Sequence, residues 1–340
     1  MVIESQLVVG SDRVAAGVGL GALGPLPVAQ FSALGLLPDA QLIALGLLPD
    51  AQLIANGLVF SSIIVLGSVG LSLVYDIADF PNFAHGDLMT VGAYATLAFG
   101  GFYVALPFPI AVVVGTAAAT AVAVGTHWLV FDRMDVGPLE LLIASIGVAF
   151  VYRAVLMQAF TSGSQSYDVG GRSPIPALRT VFDVALTYRQ LVILAATVLL
   201  GVGLHVFLQY TTMGRKMRAT SANESLAKVS GIRTGRVVLV MWVVGGVLAA
   251  VGGVFLGLET LVRPRMGFDL LLVLFAAVIL GGIGSVYGAM LGGVVIGMVH
   301  ELTPWIPLVP TRYNTALAFL LMILILFVRP SGIMGGGTSR

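Results

Sequence analysis

The stretch 237–258, VVLVMWVVGGVLAAVGGVFLGL, contains no charged residue and no proline. Wound as an α-helix, its 22 residues rise about 33 Å at ~1.5 Å each, close to the thickness of a bilayer's hydrocarbon core. The chain just before it has the opposite character. Across 211–236, Arg215, Lys216, Arg218, Lys228, Arg233 and Arg236 stand against the single acid Glu224. An apolar run bordered by a basic loop reads as a membrane span with its start on the cytoplasmic side, because positively charged loops are retained there. That boundary orients everything else.

Further apolar segments lie at 53–74, 88–106, 110–131, 139–160, 191–210, 270–282, 289–299 and 316–328. Unbroken runs of this kind predict an all-α polytopic membrane protein with about eight transmembrane helices, including short or re-entrant segments. They weigh against a barrel, whose strands would be ~10 residues long and alternate in polarity. Composition agrees: 58% of residues are hydrophobic and 10% charged, and mean hydropathy is +1.03, whereas soluble domains carry about 25% charged residues. Alternation from the basic loop puts 132–138 inside and 161–189 outside, and Arg329 puts the end of the last span inside. The segments 270–282 and 289–299 are too short to cross alone, so they are expected to enter from the outside and return there.

A net charge of +1 provides no field for nucleic acid. With no cysteine, the chain has no disulfide, thiolate metal site or cysteine nucleophile. Before the first span, ALGLLPDAQLI at 33–43 recurs unchanged at 44–54, and a looser copy occupies 22–32. Pro27, Pro38 and Pro49 interrupt helix at regular intervals. The division expected is an N-terminal extension at 1–52, a transmembrane domain at 53–335 and a short tail at 336–340.

Two stretches carry candidate function. The basic loop predicts a short helix over 221–230, with Ala222, Leu226 and Val229 along one side, Glu224 and Lys228 paired at i and i+4, and Gly231 as its stop. On physical grounds this is either an interfacial element or a docking element for a cytoplasmic partner. In the second stretch Pro81 and Gly86 interrupt apolar sequence, and Asp87 is placed to N-cap a helix starting at Leu88. The break is either a structural cap and bend or a helix N-terminus whose amides receive a substrate carboxylate, with Asp87 competing for them. His85 reads as a hydrogen-bonded part of the bend. Small residues four apart, Gly245, Ala249, Gly253, Gly257 and then Gly284, Gly288, Gly292, predict close helix contacts. Gly281, Gly282 and Gly284 are the strongest of the glycines as lining for a translocation path. The ionisable residues at apparent membrane depth are Arg153, His205 and Glu259, with Arg153 long enough to snorkel.

These stretches also carry a resemblance. Glu224, Ala227 and Gly231 have the E-x-x-A-x-x-x-G spacing of the coupling loop that ABC importer permeases present to their ATPases, although Glu224-Ser225-Leu226 stands where Glu-Ala-Ala is usual. The surrounding 214–232 resembles the LivH-type branched-chain amino acid permeases, and within 70–94 the run Asn82-Phe83-Ala84-His85-Gly86, followed by the acid Asp87, matches their signature. Segments 281–289, with Glu301 beyond, and 329–335 agree in order. The resemblance implies a non-enzymatic permease subunit of an ATP-driven importer for branched-chain or related amino acids in a prokaryotic inner membrane. It implies Glu224, Ala227, Lys228 and Gly231 as the coupling loop, and Asn82, Phe83, His85, Gly86, Asp87, Gly281, Gly282 and Gly284 as signature or path. The implied partners are a second, LivM-like permease, two ABC ATPases holding ATP and Mg, an external substrate-binding protein and membrane lipid. No cofactor or metal is implied on this chain. The residues alone also admit an ion-coupled secondary transporter or a channel for a small amide or urea. A G-x-x-x-x-G-K-[ST] loop and an H-E-x-x-H helix are both lacking, so nucleotide has to be bound by another chain.

Overall fold

Long apolar runs become helices wherever first-turn chemistry lets them start. Pro109 and Pro138 occupy first-turn positions, where a missing N–H costs nothing, and Thr187 with Gln190 forms a capping box. The computed structural model describes residues 51–171, 173–176, 178, 184–305 and 310–335. The repeat up to residue 50 and the tail 336–340 lie outside the described residues.

The helices are α1 (Ala51–Ala78), α2 (Ala84–Phe99), α3 (Phe108–Leu129), α4 (Pro138–Phe160), α5 (Tyr188–Tyr210), α6 (Thr212–Ala222), α7 (Glu224–Val229), α8 (Thr234–Glu259), α9 (Met266–Gly281), α10 (Val286–Leu302) and α11 (Asn314–Val328). Among the described residues, six helical stretches are long and apolar enough to cross a bilayer: α1, α3 with the turn after it, α4, α5, α8, and α10 extended to Trp305. The protein is therefore all-α and polytopic. In α1, 83% of the most apolar window is buried and in α8 61%, against 28% in α4 and 22% in α5. Thus α1 and α8 form the centre, while α4 and α5 are peripheral.

Small residues set these central contacts. Ser61 Oγ donates to Val294 O and Ser68 Oγ to Ala289 O, each at 3.1 Å, which fixes α1 antiparallel to α10. A Cβ on Gly253 of α8 would stand 1.8 Å from Met89 O of α2, so only glycine permits that crossing. The glycine spacing seen in the sequence is accordingly a packing pattern.

The reading of 289–299 as a part-span is corrected. Ser285 caps α10 by accepting from Gly288 N at 3.0 Å, which starts the helix earlier. At its far end His300 pairs with Glu301 at 3.2 Å and stacks on Phe60 at 4.5 Å, so polar residues there do not end it. α9 likewise begins at Met266 instead of 270, with Gly267 N donating to Thr90 Oγ1 of α2 at 3.0 Å. Their connection is reached through Gly282 at φ 109 and lies beside Asp76, near the end of α1. The C-terminal segment joins it there, as Ile333 N and Met334 N donate to Leu280 O and Gly281 O at 2.9 Å.

Candidate functional site: a closed bend and an open basic loop

The chain leaves α1 through Asp79, in the left-handed backbone region at φ 55, and buries Phe80 against Phe131 at 5.2 Å between ring centroids. Asn82 then ends the irregular stretch. Its Oδ1 accepts from Ala84 N at 3.0 Å, its backbone O accepts from His85 N at 3.3 Å, and Phe83 N donates to Ser145 Oγ of α4 at 2.9 Å. Two expectations are corrected here. The helix starts at Ala84 and not at Leu88, with Phe83 at its N-cap position; the side-chain oxygen that meets its first amide is that of Asn82, and Asp87 sits inside the first turn. The first amides at this bend, those of Phe83, Ala84 and His85, are occupied by the protein's own oxygens and do not await a substrate carboxylate.

Each signature residue then has a definite place. Phe83 packs on Phe275 at 4.9 Å. His85 is fully buried with Nε2 3.0 Å from Gly67 O; a carbonyl only accepts, so that nitrogen carries the proton. Gly86 lies inside the helix, because a Cβ there would come within 2.4 Å of Gly267 O. Asp87 is fully buried, and its Oδ1 is 2.9 Å from Nε of Arg153 on α4. The Arg153 guanidinium lies over Phe150 at 4.7 Å and Phe268 at 4.3 Å. Snorkelling is thereby corrected: a carboxylate and two aromatic faces hold this arginine inside the bundle.

Gly281 and Gly282 face the chain's own backbone. A Cβ on Gly281 would meet Gly288 O at 2.1 Å, and one on Gly282 would meet Gly335 N at 2.5 Å. Gly284, at φ 78, lies beside Asp76.

At the basic loop the structure makes two helices where the sequence reading had one over 221–230. Asn223 is the reason: it ends α6 and caps α7, its Oδ1 accepting from Leu226 N at 2.8 Å. Ala222 therefore belongs to the preceding helix. Glu224 and Lys228 pair at 2.8 Å, and Gly231 at φ 80 closes α7 as Gly231 N and Ile232 N donate to Lys228 O and Ala227 O. Ala227 is buried, whereas Leu226 is 64% and Val229 88% exposed.

The loop is joined to the bundle by residues the sequence reading passed over. Ser221 Oγ donates to Asp76 Oδ1 at 2.6 Å, linking α6 to the end of α1. A cavity of about 390 Å³ opens beside that link, lined by Gln209, Arg218, Gly284 and Tyr287 among others. His205 and Gln209 both reach the Tyr287 hydroxyl at 3.0 Å, and Glu259 accepts from Gln190 at 2.9 Å at the other end of the bundle. Asp76 had one visible signal, an acid directly following an apolar run. Ser145 had none, and no local spacing paired Asp87 with Arg153.

Residues 53–326 match the family described as branched-chain amino acid transport system / permease component. The chain is 31% identical over 283 residues to the high-affinity branched-chain amino acid transport system permease protein LivH of Escherichia coli (strain K12), covering 79% of this chain and 90% of that protein. It is 29% identical over 282 residues to BraD of Pseudomonas aeruginosa, a permease protein of the same description, at the same coverage of each chain. To the probable branched-chain amino acid transport permease protein LivH of Methanocaldococcus jannaschii it is 27% identical over 293 residues, covering 82% and 90%. The match runs from the first turn of α1 into the last turn of α11 and takes in both the closed bend and the open loop, and the chain belongs to the family of branched-chain amino acid transport permeases.

Proposed function

We propose that this protein is the membrane subunit of an ATP-driven importer, carrying branched-chain or related amino acids across a prokaryotic inner membrane. The observation that carries this reading is α7: a capped, six-residue helix with Leu226 and Val229 turned out, next to basic residues that the positive-inside rule assigns to the cytoplasm. Exposed apolar side chains on a rigid, charged loop fit a protein partner better than water. The Ser221–Asp76 hydrogen bond supports coupling, since it connects the loop to the most buried helix of the bundle. In this reading two ABC ATPases hold ATP and Mg and move the loop through Glu224, Ala227, Lys228 and Gly231. A second, LivM-like permease completes the channel, and an external binding protein delivers the solute.

The alternative, an ion-coupled carrier, would use an intramembrane charge free to change partners. Asp87 and Arg153 neutralise each other, which favours the ATP-driven reading. The test is reconstitution. The purified chain alone should hydrolyse no ATP, whereas the chain co-expressed with its cognate ATPases and second permease should yield one complex whose ATP turnover rises with loaded binding protein. Full uptake into liposomes by this chain alone, driven by an ion gradient, would overturn the proposal.

A further inference from the structure

Between the end of α4 and the start of α9 lies an open cavity of about 440 Å³, lined by Met157, Ser162, Ser164, Arg263, Arg265 and Asp269 with Pro264, within the ~300–1,000 Å³ common to small-molecule sites. Arg265 and Asp269 are i and i+4, so they share a face with Cβ atoms about 5–6 Å apart. Among the described residues neither takes part in an ion pair. Opposite charges left apart at that spacing match the ammonium and carboxylate of one small molecule.

A second observation lies one layer deeper. Phe268 is shared by two guanidinium groups, Arg265 at 5.7 Å from its centroid and Arg153 at 4.3 Å. Arg153 is held in turn by Asp87, fully buried, whose Oδ2 has no hydrogen-bond partner among the described residues. Phe268 thus touches one guanidinium from the buried Asp87–Arg153 pair and one from the open cavity.

We propose that the open pair is a reception site for the zwitterionic head of a free α-amino acid, with Arg265 taking the carboxylate and Asp269 the ammonium. The inference rests on the transport reading above and narrows its substrate class: a solute with both charges is accepted, and an amide or urea is not. The ring of Phe268 gives the arginines a fixed surface, so the carboxylate meets a guanidinium already oriented.

The test uses the complete complex with its cognate subunits in detergent, without binding protein, and measures equilibrium binding of labelled L-leucine. Saturable binding is expected, displaced by other α-amino acids but not by L-leucinamide, which lacks the carboxylate, or by 4-methylpentanoate, which lacks the ammonium. Arg265→Gln and Asp269→Asn should each weaken it at least tenfold, with Arg265→Lys retaining part. Both side chains are exposed, so yield should not fall. Docking of the binding protein, measured separately, should stay at the wild-type level. Absence of saturable binding, equal displacement by leucinamide, or variants that bind like the wild type would overturn this site, as would variants whose only defect is docking. Uptake assayed in parallel separates the two readings: a complex that imports amino acids without this binding loses only the site, whereas one that imports none loses the transport assignment.

Discussion

The bend at 79–87 and the basic loop at 211–236 both lie within the stretch that matches the family, and they are built in opposite ways. At the bend every functional group looks inward: Asn82 meets the first amide of α2, His85 is bound to Gly67, and Asp87 is paired with Arg153. At the loop, α7 is held by its own caps, by the Glu224–Lys228 pair and by the buried Ala227, while Leu226 and Val229 remain uncovered. A family signature can thus mark a place where the chain satisfies itself, or one where it waits for another chain. Substitution separates the two, since the first should cost folding and the second should cost assembly.

The largest effect is expected at the bend. Arg153→Ala strands the Asp87 carboxylate in the bundle, and removing one partner of a buried pair typically costs about 3–5 kcal/mol. Thermal stability in detergent, read by size-exclusion chromatography, should fall sharply. Arg153→Ala combined with Asp87→Ala should recover much of the loss, because the second change removes the stranded charge. If the double variant is no better than the single, the pair is not what holds α4 against α2.

At the loop the effect should move from folding to assembly. Gly231 has φ 80, and a Cβ there would meet nothing within 4 Å, so Gly231→Val carries only the backbone penalty of about 1–2 kcal/mol, confined to the end of α7. The permease should reach the membrane in normal amount while co-purification of the ATPases drops. Glu224→Lys should do less. It replaces a half-exposed pair worth a few tenths of a kcal/mol with like charges, so stability should be unchanged and stimulated ATP turnover should fall severalfold. Full assembly and full stimulation in both variants would show that α7 is not the contact.

The same contrast governs what the sequence revealed. Most of the long helices and the glycine stop at 231 were readable because each depends on residues a few positions apart: apolar runs and a helix-ending glycine. The break at Asn223 was readable in principle, since an Asn followed by Glu is a helix start, but continuous amphipathic spacing on both sides hid it. Asp87 was misplaced for a related reason. An acid before a leucine-rich run looks like a cap, yet Asn82 had already started the helix. Contacts such as Asp87–Arg153, Ser145–Phe83 and Ser221–Asp76 join residues far apart in the chain, and no local spacing encodes them.

The smallest effect separates a third region from both of these. The repeat at 33–43 recurs at 44–54, and α1 begins at Ala51, so only the last four residues of the second copy belong to the described fold. Of those four, Gln52 is engaged: its Oε1 accepts from Ala185 N at 2.6 Å, and its Nε2 donates to Asn56 Oδ1 at 2.8 Å. Deleting 33–43 joins residue 32 directly to the surviving copy and leaves Ala51–Ala78 unaltered. Membrane abundance, thermal stability and uptake should therefore stay at the wild-type level. Gln52→Ala, a far smaller change in the chain, should lower stability by about 1 kcal/mol through the hydrogen bond it removes from a half-buried amide. A deletion more damaging than Gln52→Ala would mean that the first copy takes part in the fold, and that the repeat belongs with the closed bend and not outside it.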